Sequence, residues 1–450
     1  MAQRKASDES RLTPKGRATR DRIVQAAAEL IVADGLAATS MERVRNTAAV
    51  SGSQLSHYFT DKNALIRAVI RRQSDIVLDF HRQPALNDLG SIADFERWID
   101  LNMRYLRQIG TSGGTPTFHA LAAQLAKSDD AVRATLADAY QSWIDVLRSA
   151  VQRLKKRNVL VSQANPRQIA MAIVGAHQGG GTLSFTYGAQ WPHAEATRFA
   201  VNYLRLFAVE PAERRGPRTG RRRRRAAHSD GVDDAFPLTR KGLATQSRIV
   251  SAAAALMFER GAPNTSVEDV RTAAGVSGSQ ISHYFRDKRD LVRHVVAARR
   301  ADVVAFHTQP KLGGLATLAD LQAWAAACFD EVDTVYRKGG CVYGSLAGEL
   351  IDSDDEVRGD LAVGYDEWLE LFEAGLGAMR RRGDLHPEAD PRHLAASLVA
   401  SHQGGAMLTH VLGEAAPLRA AVGAALAYVE SYAVAPRSAR ASKTRREARE

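Results

Sequence analysis

The side chains in this chain best suited to acting on another molecule sit in two thirteen-residue phrases, VSGSQLSHYFTDK at 50–62 and VSGSQISHYFRDK at 276–288. Ser53, Gln54 and Ser56, with Ser279, Gln280 and Ser282, carry short or planar polar groups of the size that reaches base edges in a DNA groove. A glutamine amide can pair with adenine through two hydrogen bonds. His57, Tyr58 and Lys62, with His283, Tyr284 and Lys288, offer donors for phosphate oxygens. Enzymatic spacings are missing: there is no G-x-S-x-G, H-E-x-x-H or G-x-x-x-x-G-K-[ST], and no G-x-G-x-x-G after a strand. The chain therefore reads as a binding protein and not an enzyme. Cys328 and Cys341 form neither a CxxC pair nor a zinc pattern, so no disulfide framework, metal or cofactor is expected.

Such side chains must be held by short helices. Before the first phrase, Ile23, Ala27, Leu30 and Ile31 fall at helical spacing, with Gly35 as a stop signal. Thr39 or Ser40 caps a second helix running to Ala48. After a break at Val50-Ser51-Gly52, a short helix starts near Ser53 and runs through Tyr58. A long one follows from Asp61 and stops before Pro84. This is helix-turn-helix form, in which the second helix enters the major groove while the first crosses the backbone. Further amphipathic stretches fall near 92–109, 116–127, 130–157, 166–187 and 193–208, without strand-like alternation. The class is all-α.

The two phrases belong to a larger repeat. Ser51 pairs with Ser277 at an offset of 226, which also pairs Gly16 with Gly242 and Trp98 with Trp324. One deletion makes the offset 225, pairing Trp143 with Trp368 and AHQGG at 176–180 with SHQGG at 401–405. Over Thr39–Leu65 against Thr265–Leu291, 18 of 27 positions are identical, too close a match over too long a period for a solenoid. The chain of 450 residues reads as one duplicated domain. Its expected parts are a disordered arm at 1–18, a first head at 19–84 and a first C-terminal domain at 85–208. A basic flexible linker at 209–241 precedes a second head at 242–310, a second C-terminal domain at 311–435 and a disordered basic tail at 436–450. A net charge of +11 points to a polyanionic partner. The polar first residues and the lack of a membrane-length apolar run predict a cytoplasmic protein with no membrane partner, on the nucleoid when bound to DNA.

TSMERVRNTAAVSGSQLSHYFTDKNAL and TSVEDVRTAAGVSGSQISHYFRDKRDL resemble the DNA-binding region of TetR-family transcriptional regulators. The resemblance covers both copies: three N-terminal helices, a long fourth helix and a larger helical C-terminal half. It implies a double-stranded DNA operator as partner, and a repressor released by a small-molecule effector. It further implies Thr39, Ser40, Thr265 and Ser266 at phosphate, and Gln54, Ser56, His57, Gln280, Ser282 and His283 facing the groove. Tyr58, Lys62, Tyr284 and Lys288 would lie on the backbone, and Phe59 and Phe285 in the core. Departures from the family pattern are Arg45 and Arg271, which either change the close approach of the two helices or turn outward, where they join the DNA-binding set, and Ala49 where copy two keeps Gly275. At φ > 0 an alanine there costs about 1 kcal/mol.

The segments AMAIVGAHQGGG and AASLVASHQGGA have no polar face, which predicts buried helices in close approach. Their packing would make one chain a pseudo-dimer that reads an imperfect palindrome, the competing arrangement being a homodimer with four heads. His177 and His402 read as satisfied interface histidines, because no second ligand sits at helical spacing. Cys341 reads as a small buried residue, and Arg221–Arg225 as a solvated run. The rival function is sequence-tolerant DNA bridging and compaction.

Overall fold

A computed structural model describes residues 12–109, 117–214, 239–350 and 355–434. Residues 1–11 of the expected arm, most of the linker with Arg221–Arg225, and the tail lie outside the described residues; the end of the arm, from Pro14, is helical and corrects the expectation of disorder there. Copy one comprises α1 (Pro14–Ala38), α2 (Met41–Thr47), α3 (Gly52–Tyr58), α4 (Lys62–Arg82), α5 (Ile92–Ile109), α6 (Phe118–Leu125), α7 (Asp130–Lys156), α8 (Pro166–Tyr187) and α9 (Trp191–Arg205). Copy two repeats them as α10 (Arg240–Arg260), α11 (Val267–Ala274), α12 (Gly278–Tyr284), α13 (Lys288–His307), α14 (Leu318–Asp330), α15 (Gly344–Glu349), α16 (Asp355–Arg382), α17 (Pro391–Leu412) and α18 (Ala416–Glu430). Among the described residues extended pairing is limited to isolated bridges, Leu160 with Ala208 and Leu385 with Ala433.

Local chemistry sets the boundaries. Thr13 and Thr239 accept the amides of Gly16 and Gly242, capping α1 and α10. The second head therefore starts at Arg240, two residues ahead of the expected boundary. Gly35 stops α1 as expected: its backbone turns to φ 80 and ψ 162, and the three residues after it form a separate turn. Asp61 and Asp287 cap α4 and α13 through the amides of Ala64 and Asp290. Leu65, Ile66, Val69 and Ile70 are buried on α4, a helix that packs against both α1 of the head and α7 of the C-terminal half.

Each C-terminal half is organised around a histidine shared by two tryptophans. Trp98 and Trp143 both donate their indole N–H to His81 Nε2, each at 3.1 Å, and His81 Nδ1 donates to the Val77 carbonyl at 2.7 Å. Copy two repeats this with Trp324 and Trp368 on His307 Nε2 at 3.0 and 2.8 Å, and His307 Nδ1 on Val303 at 2.7 Å. Burial pushes both imidazoles down to about 4, so both are neutral acceptors at neutral pH.

The copies meet through α8 and α17, flanked by α9 and α18. A Cβ on Gly179 would stand 1.9 Å from the Ala400 carbonyl oxygen, and one on Gly404 1.7 Å from that of Gly175. Only bare backbone fits this crossing. Polar groups pin its edges: Asn202 Nδ2 donates to Tyr428 Oη at 3.1 Å, and His393 pairs with Glu195. A second tie joins copy one to the other head. Lys127, just past α6, places Nζ 2.6 Å from Glu349 Oε1, off the axis of a good hydrogen bond. It also donates to the Met257 carbonyl at 3.0 Å and to Ser345 Oγ at 3.3 Å. Glu349 Oε2 accepts the Ala262 amide at 2.6 Å, and the two charged side chains are 5% and 3% exposed.

Candidate nucleic-acid interface

The two heads are built alike. Ser51 accepts the amide of Gln54 while Gln54 Oε1 accepts the amide of Ser51, and Ser277 and Gln280 repeat the exchange. The recognition helices thus start at Gly52 and Gly278, beside Ser53 and Ser279 as expected. The cap takes one lone pair of each glutamine's amide oxygen, which leaves the second lone pair and the amide nitrogen for a base edge. Phe59 and Phe285 are buried, as the family pattern implied.

Ser53, Gln54, Ser56 and His57 are exposed on one head, and Ser279, Gln280, Ser282 and His283 on the other. Ser56 Oγ donates back to the Gly52 carbonyl at 3.0 Å, and Ser53 Oγ lies 2.9 Å from Ser51 Oγ. These hydroxyls keep lone pairs to accept from a base. Tyr58 and Tyr284 are half-buried, each edge-on to its neighbouring histidine ring at 4.9 Å.

Two expected phosphate contacts are corrected. Thr39 and Thr265 are buried, and their hydroxyls donate to the Gly35 and Gly261 carbonyls at 2.9 Å, where they close the corner before the next helix. Ser40 and Ser266 stay exposed as N-caps of α2 and α11. Lys62 Nζ turns inward to the Leu36 carbonyl at 2.6 Å, and Lys288 Nζ faces that of Pro263 at 3.5 Å. Partial burial lowers both ammonium pKa values. Both reach carbonyls in the corner that follows the opening helix, and a phosphate would have to share them. Arg45 and Arg271 turn outward, paired with Glu42 at 3.6 Å and with Glu268 respectively.

The turn between the helices is left-handed in both heads, at φ 50 in Ala49 and φ 61 in Gly275. Arg22 Nε donates to the Ala48 carbonyl at 2.9 Å and Arg248 Nε to that of Ala274 at 3.0 Å, so an α1 or α10 side chain secures each turn.

Behind the first head lies a cavity of about 90 Å³, walled by α4, α5, α6, α7, α8 and α9. Val77, Phe80, Leu106 and Phe185 give it an apolar lining, and Ile76 and Tyr105, 41% and 37% exposed, stand on its rim. His177 is hydrogen-bonded, as a satisfied histidine should be, but its neighbours are further histidines that helical spacing did not reveal. Its Nδ1 lies 2.9 Å from His119 Nε2, its Nε2 lies 2.9 Å from Asn102 Oδ1, and its ring centre is 4.4 Å from that of His193. No sequence spacing joins these residues. The one signal was the mismatch between copies, where His119 and His193 align with Gly344 and Leu418. His402 instead faces Tyr336 Oη at 2.8 Å. Cys328 and Cys341 are free and buried, and burial raises both thiol pKa values.

Comparison with known proteins matches residues 23–69 and 249–295 to the model for bacterial regulatory proteins of the tetR family. Residues 317–425 match the Tetracyclin repressor-like C-terminal domain. The HTH-type transcriptional repressor KstR2 of Rhodococcus jostii (strain RHA1) is 24% identical over 150 residues, which is 33% of this chain and 74% of that protein. The HTH-type transcriptional repressor DhaR of Mycobacterium sp. (strain GP1) is 23% identical over 174 residues, 38% of this chain and 86% of that protein. Each is matched over most of its own length by well under half of this chain. Among solved structures, a TetR transcriptional regulator from Chloroflexus aurantiacus J-10-FL is 26% identical, covering 43% of this chain and 98% of that one with a TM-score of 0.39. Among the described residues no helix is long and apolar enough to cross a membrane.

Proposed function

The chain belongs to the TetR family of DNA-binding transcriptional regulators, with the N-terminal DNA-binding unit present twice, and on that premise we propose that one chain supplies both heads of a repressor. The observation that carries this reading is the α8–α17 crossing. Its bare-backbone contacts at Gly179 and Gly404 join the two copies in cis. The heads then act as a pseudo-twofold pair on half-sites about 34–36 Å apart. A 33-residue connection (209–241) has an r.m.s. span of roughly 30 Å, which allows this arrangement. The second head binds at an effective concentration near millimolar, without a separate encounter. Because the heads differ, the preferred operator is an imperfect palindrome. Ser53, Gln54, Ser56 and His57, with their copy-two counterparts, meet base edges, while Ser40, Tyr58, Ser266 and Tyr284 meet the backbone.

Release follows from the cavity. Gln73, Ile76, Val77, Phe80 and His81 of its lining all lie on α4, the helix that leaves the first head. A small apolar molecule lodged there displaces α4 and with it the head, lowering operator affinity.

Light scattering on the free protein and on its operator complex tests the arrangement. A free mass near 48.9 kDa, and one chain per protected site, is expected. Twice that mass in both states would replace the cis pair by a four-headed homodimer. A footprint with no preferred site and a steep salt response would favour DNA bridging instead.

A further inference from the structure

His119, His177 and His193 come from α6, α8 and α9 and offer one ring nitrogen each within 4.8 Å of one another at the wall of the copy-one cavity. We propose that this trio binds one divalent cation of the zinc class, in copy one alone, with a coordination position left open to the cavity.

The donor chemistry suits that ion. Three imidazoles and an open position form a familiar zinc arrangement. A neutral imidazole is the form that ligates a metal, and all three rings stand in the wall of the largely apolar cavity. The spacing is near what is needed. Nitrogens about 2.0–2.1 Å from a tetrahedral ion lie roughly 3.3 Å apart, and His119 Nε2 and His177 Nδ1 are 2.9 Å apart. Asn102 Oδ1, 2.9 Å from His177 Nε2, accepts its N–H and leaves the Nδ1 lone pair turned to the cluster.

His193 is the strongest pointer. It is 1% exposed, yet neither ring nitrogen has a hydrogen-bond partner. Buried polar groups are nearly always satisfied, and a cation satisfies this one. The backbone is shaped around the trio as well. A Cβ on Gly181 would stand 2.4 Å from His119 Cδ2, so glycine admits that ring. Copy two reverses the pair, with Gly344 in place of the histidine and Ala406 in place of the glycine. It also has Leu418 and Cys328 where copy one has His193 and Asn102.

The fold does not require the trio. His81 and His307, which organise the two cores, are kept in both copies, whereas His119 and His193 are not. The ligands are neutral, so the ion's charge stays uncompensated and the open position suits an anionic fourth ligand from the cavity.

The test uses untagged full-length protein, stripped with a chelator and titrated with Co²⁺ and then Zn²⁺. One Co²⁺ per chain is expected, with the intense visible bands of a tetrahedral site, displaced by one Zn²⁺. His193→Leu, the residue copy two already carries, is expected to weaken binding at least 10-fold, and Asn102→Ala by about 10–100-fold. His402→Ala is expected to bind like the parent. Failure of the parent to take up a stoichiometric ion overturns the proposal, as does undiminished affinity in His193→Leu. If that variant does not fold by circular dichroism, undiminished affinity in Asn102→Ala overturns it instead. No operator is involved, so the outcome stands apart from the DNA-binding reading.

Discussion

Replacing Lys127 by methionine keeps most of its apolar stem and removes the charge opposite Glu349. The carboxylate is then left with the Ala262 amide at 2.6 Å and no cation, at a site where the two side chains are 5% and 3% exposed. Removing one partner of a buried ion pair costs about 3–5 kcal/mol, because the survivor keeps its desolvation penalty. Urea unfolding with a slope of about 3 kcal/mol per molar turns this into a midpoint lowered by about 1–1.7 M. Glu349→Gln retains an acceptor for Ala262, and the ammonium still reaches the Met257 carbonyl and Ser345, so its loss lies near the lower bound. The double variant discriminates. With neither charge buried, it is expected to recover about 1–3 kcal/mol relative to the summed single losses. Singles that shift the midpoint by less than about 0.3 M would refute the buried-charge reasoning, as would a double variant that is simply additive.

Ala49→Gly relieves a left-handed alanine in the first head and is expected to stabilise the chain by up to about 1 kcal/mol in the same urea assay, since glycine adopts φ 50 without strain. Gly179→Ala is expected to destabilise by about 1–3 kcal/mol or more, because its Cβ meets the Ala400 carbonyl. Gly359→Ala, in α16 with nothing within 4 Å, should gain up to about 1 kcal/mol, and thermal unfolding of the two variants checks the contrast. His81 and His307 are held neutral with pKa values of about 4, below the ordinary 6.5. Protons therefore favour the unfolded chain between those values. The stability each contributes is full above pH 6.5 and falls by about 3 kcal/mol per histidine as pH drops toward 4. A urea midpoint unchanged between pH 7 and pH 4.5 would contradict this.

Local physics made much of the fold legible. Asp61 and Ser40 announced their helices because a capping side chain acts within three residues of itself. The glycine-rich segments announced a buried crossing because only burial explains a helix with no polar face. Gln54 shows the limit at the interface: its type suits a base edge, yet the same amide oxygen also serves the cap, a use that its type alone does not announce. Thr39 was misplaced for a similar reason, since a threonine beside an N-cap can turn its hydroxyl to solvent or back to a carbonyl four residues earlier. The histidine trio and the Lys127–Glu349 pair were invisible to spacing. Their members are 16 to 222 residues apart in sequence and are brought together only by packing.

The crossing of α8 and α17 also changes what substitutions can do. In a homodimer the contact surface faces its own image, so every substitution there arrives twice, and a charge on the axis meets its like. Here the two faces are encoded separately. A lysine can arise at position 127 without appearing at its counterpart, Asp352, and a carboxylate at 349 without replacing Gln124. Fusion converts a self-complementary surface into a lock with a distinct key. On the function proposed above, one half can then specialise in sensing, and each head in a different half-site, while the peptide chain keeps the halves together.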